Sequence, residues 1–344
     1  MTASLPLVHV GMAKAASTFL QQVVLPRLPS HFYIGKHHNT PEMARALMGL
    51  TRLLSLDWKP EAAKAVIDEA VAARSAGRPV LYSEEDCSVF KFLDPAVISA
   101  RLVEVLGPHD VLMVIRAPGT WVQSQYQFRL STYHPDTLFG SVEWFDRHRQ
   151  VVGIGSDLSE IRFAALAEVY RRICGGRVHI IPYELLVRDK GAFTARLADA
   201  LNVEPASLEP LMNQPRDRRR DKTRITAADA GFIRLARYVV MQDPDTFWRL
   251  AEERLEACPG ARELDDYAAL RALTEAGTLN FSLWRPHLSR LRLRILSHLQ
   301  EGEAANDPLA PEQTEYLTRV GRNQKRQLKA QFGIDLDALV PGTY

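Results

Sequence analysis

The sequence is short of the features that would fix its class at a glance. It has three cysteines, Cys87, Cys174 and Cys258, far apart and with no CxxC pair. That argues against a disulfide framework and a zinc site, and it fits a reducing compartment. No run reaches the ~18 apolar residues of a membrane span. No signal peptide precedes the first apolar run at residues 5–11. These absences predict a cytoplasmic protein. Net charge is scarce too: 43 Lys and Arg against 41 Asp and Glu leave +2 over 344 residues. A chain so balanced does not coat nucleic acid through bulk charge, so any anion site must be local. Repeats and low-complexity tracts are also missing.

What is present is ample apolar material, 46% of the residues. The length suits one α/β domain with additions, or two modest domains. Apolar runs at 5–11, 79–83, 110–116 and 177–184 read as buried strands. Helical patterns fall between them, at 17–25, 60–77, 94–107, 118–132 and 190–201. Strands separated by helices predict an α/β fold, a three-layer parallel sheet with helices on both faces. After about residue 222 strand signals nearly vanish. Helices are expected at 226–242, 246–257, 263–275, 284–300 and 311–332. "RLRLRIL" (290–296) alternates like a strand, but Leu288, Leu291, Ile295 and Leu299 favour a helix. The expected organisation is an α/β core over 1–215 and a mostly helical extension over 216–344, whose basic C-terminal segment returns to the core.

"VHVGMAKAASTFLQQ" (8–22) carries the first chemical signal. A strand, a turn of small residues and a helix start converge backbone N–H groups on an anion, and the helix dipole favours negative charge. Lys14 adds a point charge, and Ser17 and Thr18 add hydroxyls. The spacing is GxxKxxST, not the GxxxxGK[ST] of a nucleoside-triphosphate loop, and the turn holds no Gly-Lys pair. "IRAPGTWVQSQY" (115–126) is the second signal. Arg116 ends a buried strand, where open parallel sheets bind ligands. Ser124 follows eight residues later on a helix, so guanidinium and hydroxyl could share one phosphate. Arg116 could equally pair with a nearby acid.

Together these segments resemble the sulfotransferases that use 3′-phosphoadenosine 5′-phosphosulfate (PAPS). "AKAASTF" (13–19) is similar to that family's PKSGTTW loop, which holds the 5′-phosphosulfate. "RAPGTWVQS" (116–124) is similar to its Arg and Ser pair for the 3′-phosphate. "IPYELLVRD" (181–189) resembles its YEDL segment, whose tyrosine lies by the adenine. "RNQKRQLKAQFGIDLDAL" (322–339) is similar to the tails of bacterial members. The likeness covers residues 5 to about 202 and fades beyond 222. It implies a P-loop-like fold, PAPS as co-substrate, and a cofactor site of Lys14, Ala15, Ala16, Ser17, Thr18, Phe19, Arg116, Ser124 and Tyr183. Three positions depart from the family: Ala13 stands for Pro, Ala16 for Gly and Phe19 for Trp. Ala16 keeps the turn tight only if its φ is negative.

Sulfuryl transfer is an in-line displacement like phosphoryl transfer, with less charge to neutralise. No acidic pair is placed for magnesium, and no metal is expected. Lys14 would neutralise the bridging oxygen as the bisphosphate leaves. The acceptor hydroxyl needs a base. "LYSEEDCS" (81–88) puts Glu84, Glu85 and Asp86 at the carboxyl end of a strand and holds no His. A carboxylate base follows, Glu85 first and Glu84 second, leaning on the "SSE" of bacterial members. Both acids could instead cap the next helix or pair with Lys91.

Other signals stay open. In "GKHHN" (35–39), Lys36, His37 or His38 could touch an acceptor, or the stretch is a surface turn. "RDRRRDKTR" (216–224) carries a net +4; it is a cover for the 3′-phosphate, an attractor for anionic acceptors, or a solvated linker. Arg319, Arg322, Arg326 and Lys329 share one helical face, a lid or a solvated surface. Trp144, Trp248 and Trp284 either line an acceptor pocket or fill the core. The expected acceptor is a hydroxyl on a carbohydrate, a glycolipid or a small metabolite, in a bacterial enzyme. A small-molecule P-loop kinase and a non-catalytic nucleotide-binding scaffold are the rival readings. Oligomeric state is not legible.

Overall fold

The computed structural model describes residues 5–35, 38–88, 93–150, 158–214, 227–256, 258, 260–296 and 308–344. Five strands, β1 (Leu7–Val10), β2 (Phe32–Gly35), β3 (Val80–Glu84), β4 (His109–Ile115) and β5 (Gly175–Pro182), pair in parallel in the order β2-β3-β1-β4-β5. β1 is buried throughout, and so is β4 from Val111 to Ile115. Such unbroken burial requires helices on both faces. Alternation sorts those faces. His9 and Ser83 pair in register and meet Gln21 of the helical run after β1. Tyr82 and Glu84 point to the opposite face.

The helices are α1 (Ser17–Phe19), α2 (Pro41–Arg52), α3 (Pro60–Arg74), α4 (Pro95–Leu106), α5 (Pro118–Ser131), α6 (Ser141–Gln150) and α7 (Phe163–Ile173). After β5 come α8 (Tyr183–Arg188), α9 (Lys190–Leu201) and α10 (Pro205–Met212). α1 runs on through a π-helical stretch, Leu20–Val24, and a 3-10 turn, Leu25–Arg27. Local chemistry sets the starts. Thr40 accepts from the Met43 N–H and Asp94 from the Ala96 N–H, each before a proline at the first helical position. Asp189 does the same for α9 through the Ala192 N–H.

The remaining helices are α11 (Ala227–Val240), α12 (Pro244–Leu255), α13 (Asp265–Glu275), α14 (Phe281–Leu296), α15 (Pro311–Phe332) and α16 (Leu336–Leu339). The chain forms two compact units. The first, Met1–Val122, His148–Arg219 and Glu315–Tyr344, holds the sheet. The second, Gln123–Arg147 and Arg220–Thr314, is helical among its described residues. Its core stacks Phe247 edge-on against Trp248 and Trp284, at 5.2 and 5.4 Å between centroids.

The α/β fold with a parallel sheet and helical extension agrees with the sequence reading, and residues 290–296 are helix. Some boundaries differ. The strand expected over 177–184 ends at Pro182, so Tyr183 opens α8. The helix expected to Gly77 stops at Arg74, with Ala76 and Gly77 both at positive φ. β2 and α2 had no expected counterpart. No helix among the described residues is long and apolar enough to cross a membrane.

Candidate active site

The turn after β1 is shaped from outside. Four consecutive carbonyls, Gly11 to Lys14, each accept a side-chain donor. Ser88 Oγ donates to Gly11 at 2.8 Å, Ser17 Oγ to Met12 at 2.7 Å, Trp121 Nε1 to Ala13 at 2.8 Å, and Arg116 to Lys14 at 2.8 Å. The Ala13 N–H donates to Glu160 at 2.8 Å, and the Ala15 N–H to the Met12 carbonyl at 3.3 Å. A side chain at Gly11 would not fit: its Cβ would lie 2.7 Å from Ser17 Oγ.

Within this frame Lys14 and Ala16 both take left-handed backbone, φ 64° and 66°. The expectation of a negative φ at Ala16 is therefore corrected: the alanine adopts the conformation a glycine would, at ~1–2 kcal/mol of strain. Alternating handedness across three residues is the backbone pattern of anion-binding concavities. Ser17 is buried and its hydroxyl turns inward to Met12, whereas Thr18 is exposed. Ala15 is buried, and Phe19 is half-buried.

Three of the sequence-derived residues meet at the carboxyl ends of β1, β4 and β5. The Arg116 guanidinium binds the Lys14 carbonyl, donates to Thr120 Oγ1 at 3.2 Å and lies 4.8 Å from the Tyr183 ring centroid. Burial lowers its pKa from the ordinary value, while Tyr183, Glu184 and Tyr344 act the other way. Glu184 holds the position. Its carboxylate accepts the Ala117 N–H at 2.9 Å and the Tyr344 hydroxyl at 2.8 Å. Burial pushes the Tyr344 hydroxyl pKa up. Ser124 is half-buried on α5, in the part of that helix counted with the second unit.

On the other side of β1, Glu84 pairs in register with Val10, one strand from the turn. Its carboxylate accepts the Asp86 N–H at 3.4 Å and lines a cavity of about 370 Å³ beneath α2. Glu85 and Asp86 begin the short helical turn Glu85–Cys87. Asp86 also lines the cavity, and its Oδ2 accepts from Arg52 Nη2 and Nε at 2.7 and 3.1 Å. Beneath the turn, His9 Nδ1 lies 2.7 Å from Ser83 Oγ, which also accepts from Gln21. Burial lowers the His9 pKa to about 4, so its ring is neutral.

Glu160, Ser88, Trp121 and Glu184 were missed in the sequence. Lys36, His37, Lys91 and the basic run 216–224 lie outside the described residues. His38 is exposed and packs edge-on against Tyr33. Arg319, Arg322, Arg326 and Lys329 are exposed on α15, with Lys329 paired to Asp335. Trp144, Trp248 and Trp284 are core residues of the second unit. Among the described residues no three His, Cys, Asp or Glu gather as metal ligands.

No protein-family model and no curated protein matches the chain. Among solved structures it is similar to a sulfotransferase from Alicyclobacillus acidocaldarius, at 14% identity and TM-score 0.40, over 70% of this chain and 96% of that one. It is also similar to the sulfotransferase domain of the Synechococcus PCC 7002 olefin synthase, at 18% identity and TM-score 0.35, over 64% of this chain and 82% of that one.

Proposed function

We propose that this chain is a sulfotransferase that moves a sulfuryl group from PAPS to a hydroxyl. The observation that carries the reading is the meeting of Lys14, Arg116 and Tyr183 at the carboxyl ends of adjacent strands. Residues 102 positions apart in the chain meet in one hydrogen bond. The donor set suits a nucleotide with two phosphate positions: turn amides and Lys14 for one, Arg116 for the other. Ser124 is assigned to the second phosphate on its sequence spacing. Tyr183 offers a ring beside the base, and Phe19 a second one.

In the reaction the acceptor oxygen forms a bond to sulfur as the bond from sulfur to the bridging oxygen breaks. The electron pair leaves with the bisphosphate, where Lys14 meets the developing charge. The acceptor proton passes to a carboxylate. The cavity favours Glu84 over Glu85 for this role, because Glu84 is the one of the two that lines it.

Isothermal titration with 3′-phosphoadenosine 5′-phosphate, ADP and ATP-Mg²⁺ tests the reading. The bisphosphate is expected to bind most tightly. Arg116→Ala should weaken it by ~10–100-fold, the worth of a charge-assisted hydrogen bond, and Ser124→Ala by less. A preference for ATP-Mg²⁺, or no nucleotide binding, would replace the sulfotransferase reading with a kinase or a scaffold.

A further inference from the structure

A carboxylate stands near the guanidinium on which the second phosphate depends. Glu184, in the first turn of α8, is 8% exposed. Burial lowers the pKa of Arg116, and the neighbouring Tyr183, Glu184 and Tyr344 act the other way. The Arg116 and Glu184 charges are therefore within electrostatic reach of each other. An arginine and a carboxylate so close ordinarily join as an ion pair. Here their hydrogen bonds go elsewhere. Arg116 donates to the Lys14 carbonyl and to Thr120 Oγ1. Glu184 Oε1 accepts the Ala117 N–H at 2.9 Å, and Oε2 accepts the Tyr344 hydroxyl at 2.8 Å.

The two donors to Glu184 come from different places. The Ala117 N–H follows Arg116 in the chain and arrives with it. Tyr344 is brought from 160 residues beyond Glu184. The segment that carries it is fastened along its length. Asp335 caps α16 through the Asp337 and Ala338 N–H groups. Lys329 and Lys325 of α15 pair with Asp335 and Asp337, each at 2.6 Å. Arg188 of α8 donates to the Pro341 carbonyl at 3.0 Å. Exposed ion pairs add little singly, but Leu336 and Val340 are each 1% exposed and bury the segment's apolar side. The Tyr344 ring then meets Phe163 of α7 edge-on, at 5.9 Å between centroids. That contact fixes where the hydroxyl points. Burial keeps the hydroxyl protonated, so it donates and Glu184 accepts.

On the sulfotransferase reading above, we infer that Tyr344 is a positioning residue for the donor nucleotide: by holding Glu184 Oε2 it keeps that carboxylate from closing on Arg116, and so leaves the guanidinium open to the 3′-phosphate. Tyr344 acts through Glu184 and not on the phosphate. A buried carboxylate oxygen that loses its donor is costly, and Arg116 is at hand to satisfy it. The pair so formed would compete with the phosphate for the same N–H groups.

The test titrates the full chain with 3′-phosphoadenosine 5′-phosphate and with adenosine 5′-phosphate, which lacks the 3′-phosphate. Tyr344→Phe should weaken the bisphosphate about tenfold, the effect of one competing charge-assisted hydrogen bond, and leave adenosine 5′-phosphate within about twofold. In a Glu184→Gln background the neutral amide holds a guanidinium far less well, so Tyr344→Phe should there cost the bisphosphate less than about threefold. A tyrosine that only anchors its segment would weaken both nucleotides alike, or weaken the bisphosphate equally in the two backgrounds. Either result, or no change in Tyr344→Phe, overturns the inference while the donor reading stands. If Glu184→Gln does not fold, the ratio of the two nucleotide affinities in Tyr344→Phe decides alone. A parent chain that binds no bisphosphate overturns the donor reading and this inference together.

Discussion

The turn after β1 and the cavity under α2 lie on adjacent strands but are built in opposite ways. In the turn, side chains from four other places hold the backbone: Ser88, Trp121 and Arg116 donate to its carbonyls, and Glu160 accepts the Ala13 N–H. In the cavity side chains make both an apolar wall, Leu47 and Met48 of α2, and an acidic end, Glu84 and Asp86. A site made of backbone depends on remote props. A site made of side chains depends on its own residues. The donor half should therefore be sensitive at a distance and the acceptor half sensitive in place.

The largest expected effect lies on the acceptor side. Glu84→Gln should lower kcat by ~10²–10⁴, the usual worth of a positioned base, with bisphosphate affinity unchanged by titration. Glu85→Gln should stay within a few-fold. Equal losses in the two would mean that the cavity does not select the base.

His9 fastens the strands that carry the two halves, and its effect reads out in stability. Its pKa falls from 6.5 to about 4 on folding, so the unfolded chain binds the proton more readily. Its contribution is whole above pH 6.5 and is lost as the pH drops toward 4. The loss amounts to about 3 kcal/mol for a shift of this size. Denaturant melts across that window should show a shallower pH dependence in His9→Asn than in the parent chain. Parallel curves would place the neutral imidazole elsewhere.

A smaller effect tests the remote props. Trp121→Phe keeps the ring and removes one donor from the Ala13 carbonyl. An orphaned buried acceptor costs ~1–3 kcal/mol, and part of this should appear as weaker bisphosphate binding, about tenfold by titration. Stability loss with unchanged affinity would show that the turn keeps its shape without that prop. The smallest effect is a gain. Ala16→Gly relieves left-handed strain and should stabilise by ~0.5–1 kcal/mol after the entropy of glycine is counted, seen as a rise in melting temperature.

Much of the turn after β1 and of the strand end beside it was legible. An apolar run, an early lysine and small residues before a helix are local signals, and so is an arginine closing a buried strand. Tyr183, named from the resemblance, lies beside Arg116 and opens a helix where a strand is expected. The props were not legible, because Glu160 sits 147 residues from Ala13, Trp121 sits 108 from it, and Ser88 sits 77 from Gly11. Such partners are chosen by folding, and no spacing announces them. The acceptor side was half legible. Glu84 ends an evident strand, but the cavity it lines is closed by α2. Thr40, Pro41 and Glu42 are a helix-start signal that was there to be read. β2 is a different case: four residues at a sheet edge are too few to show a period.

The four anchored carbonyls also bear on transplantation. Residues 11–19 cut out and spliced between another strand and helix would carry the lysine, the hydroxyls and the Ser17 bond to Met12, but not the other instructions for their shape. Those instructions are dispersed among Ser88, Trp121, Arg116 and Glu160, so the portable unit is a scatter of positions across the sheet rather than a segment of chain.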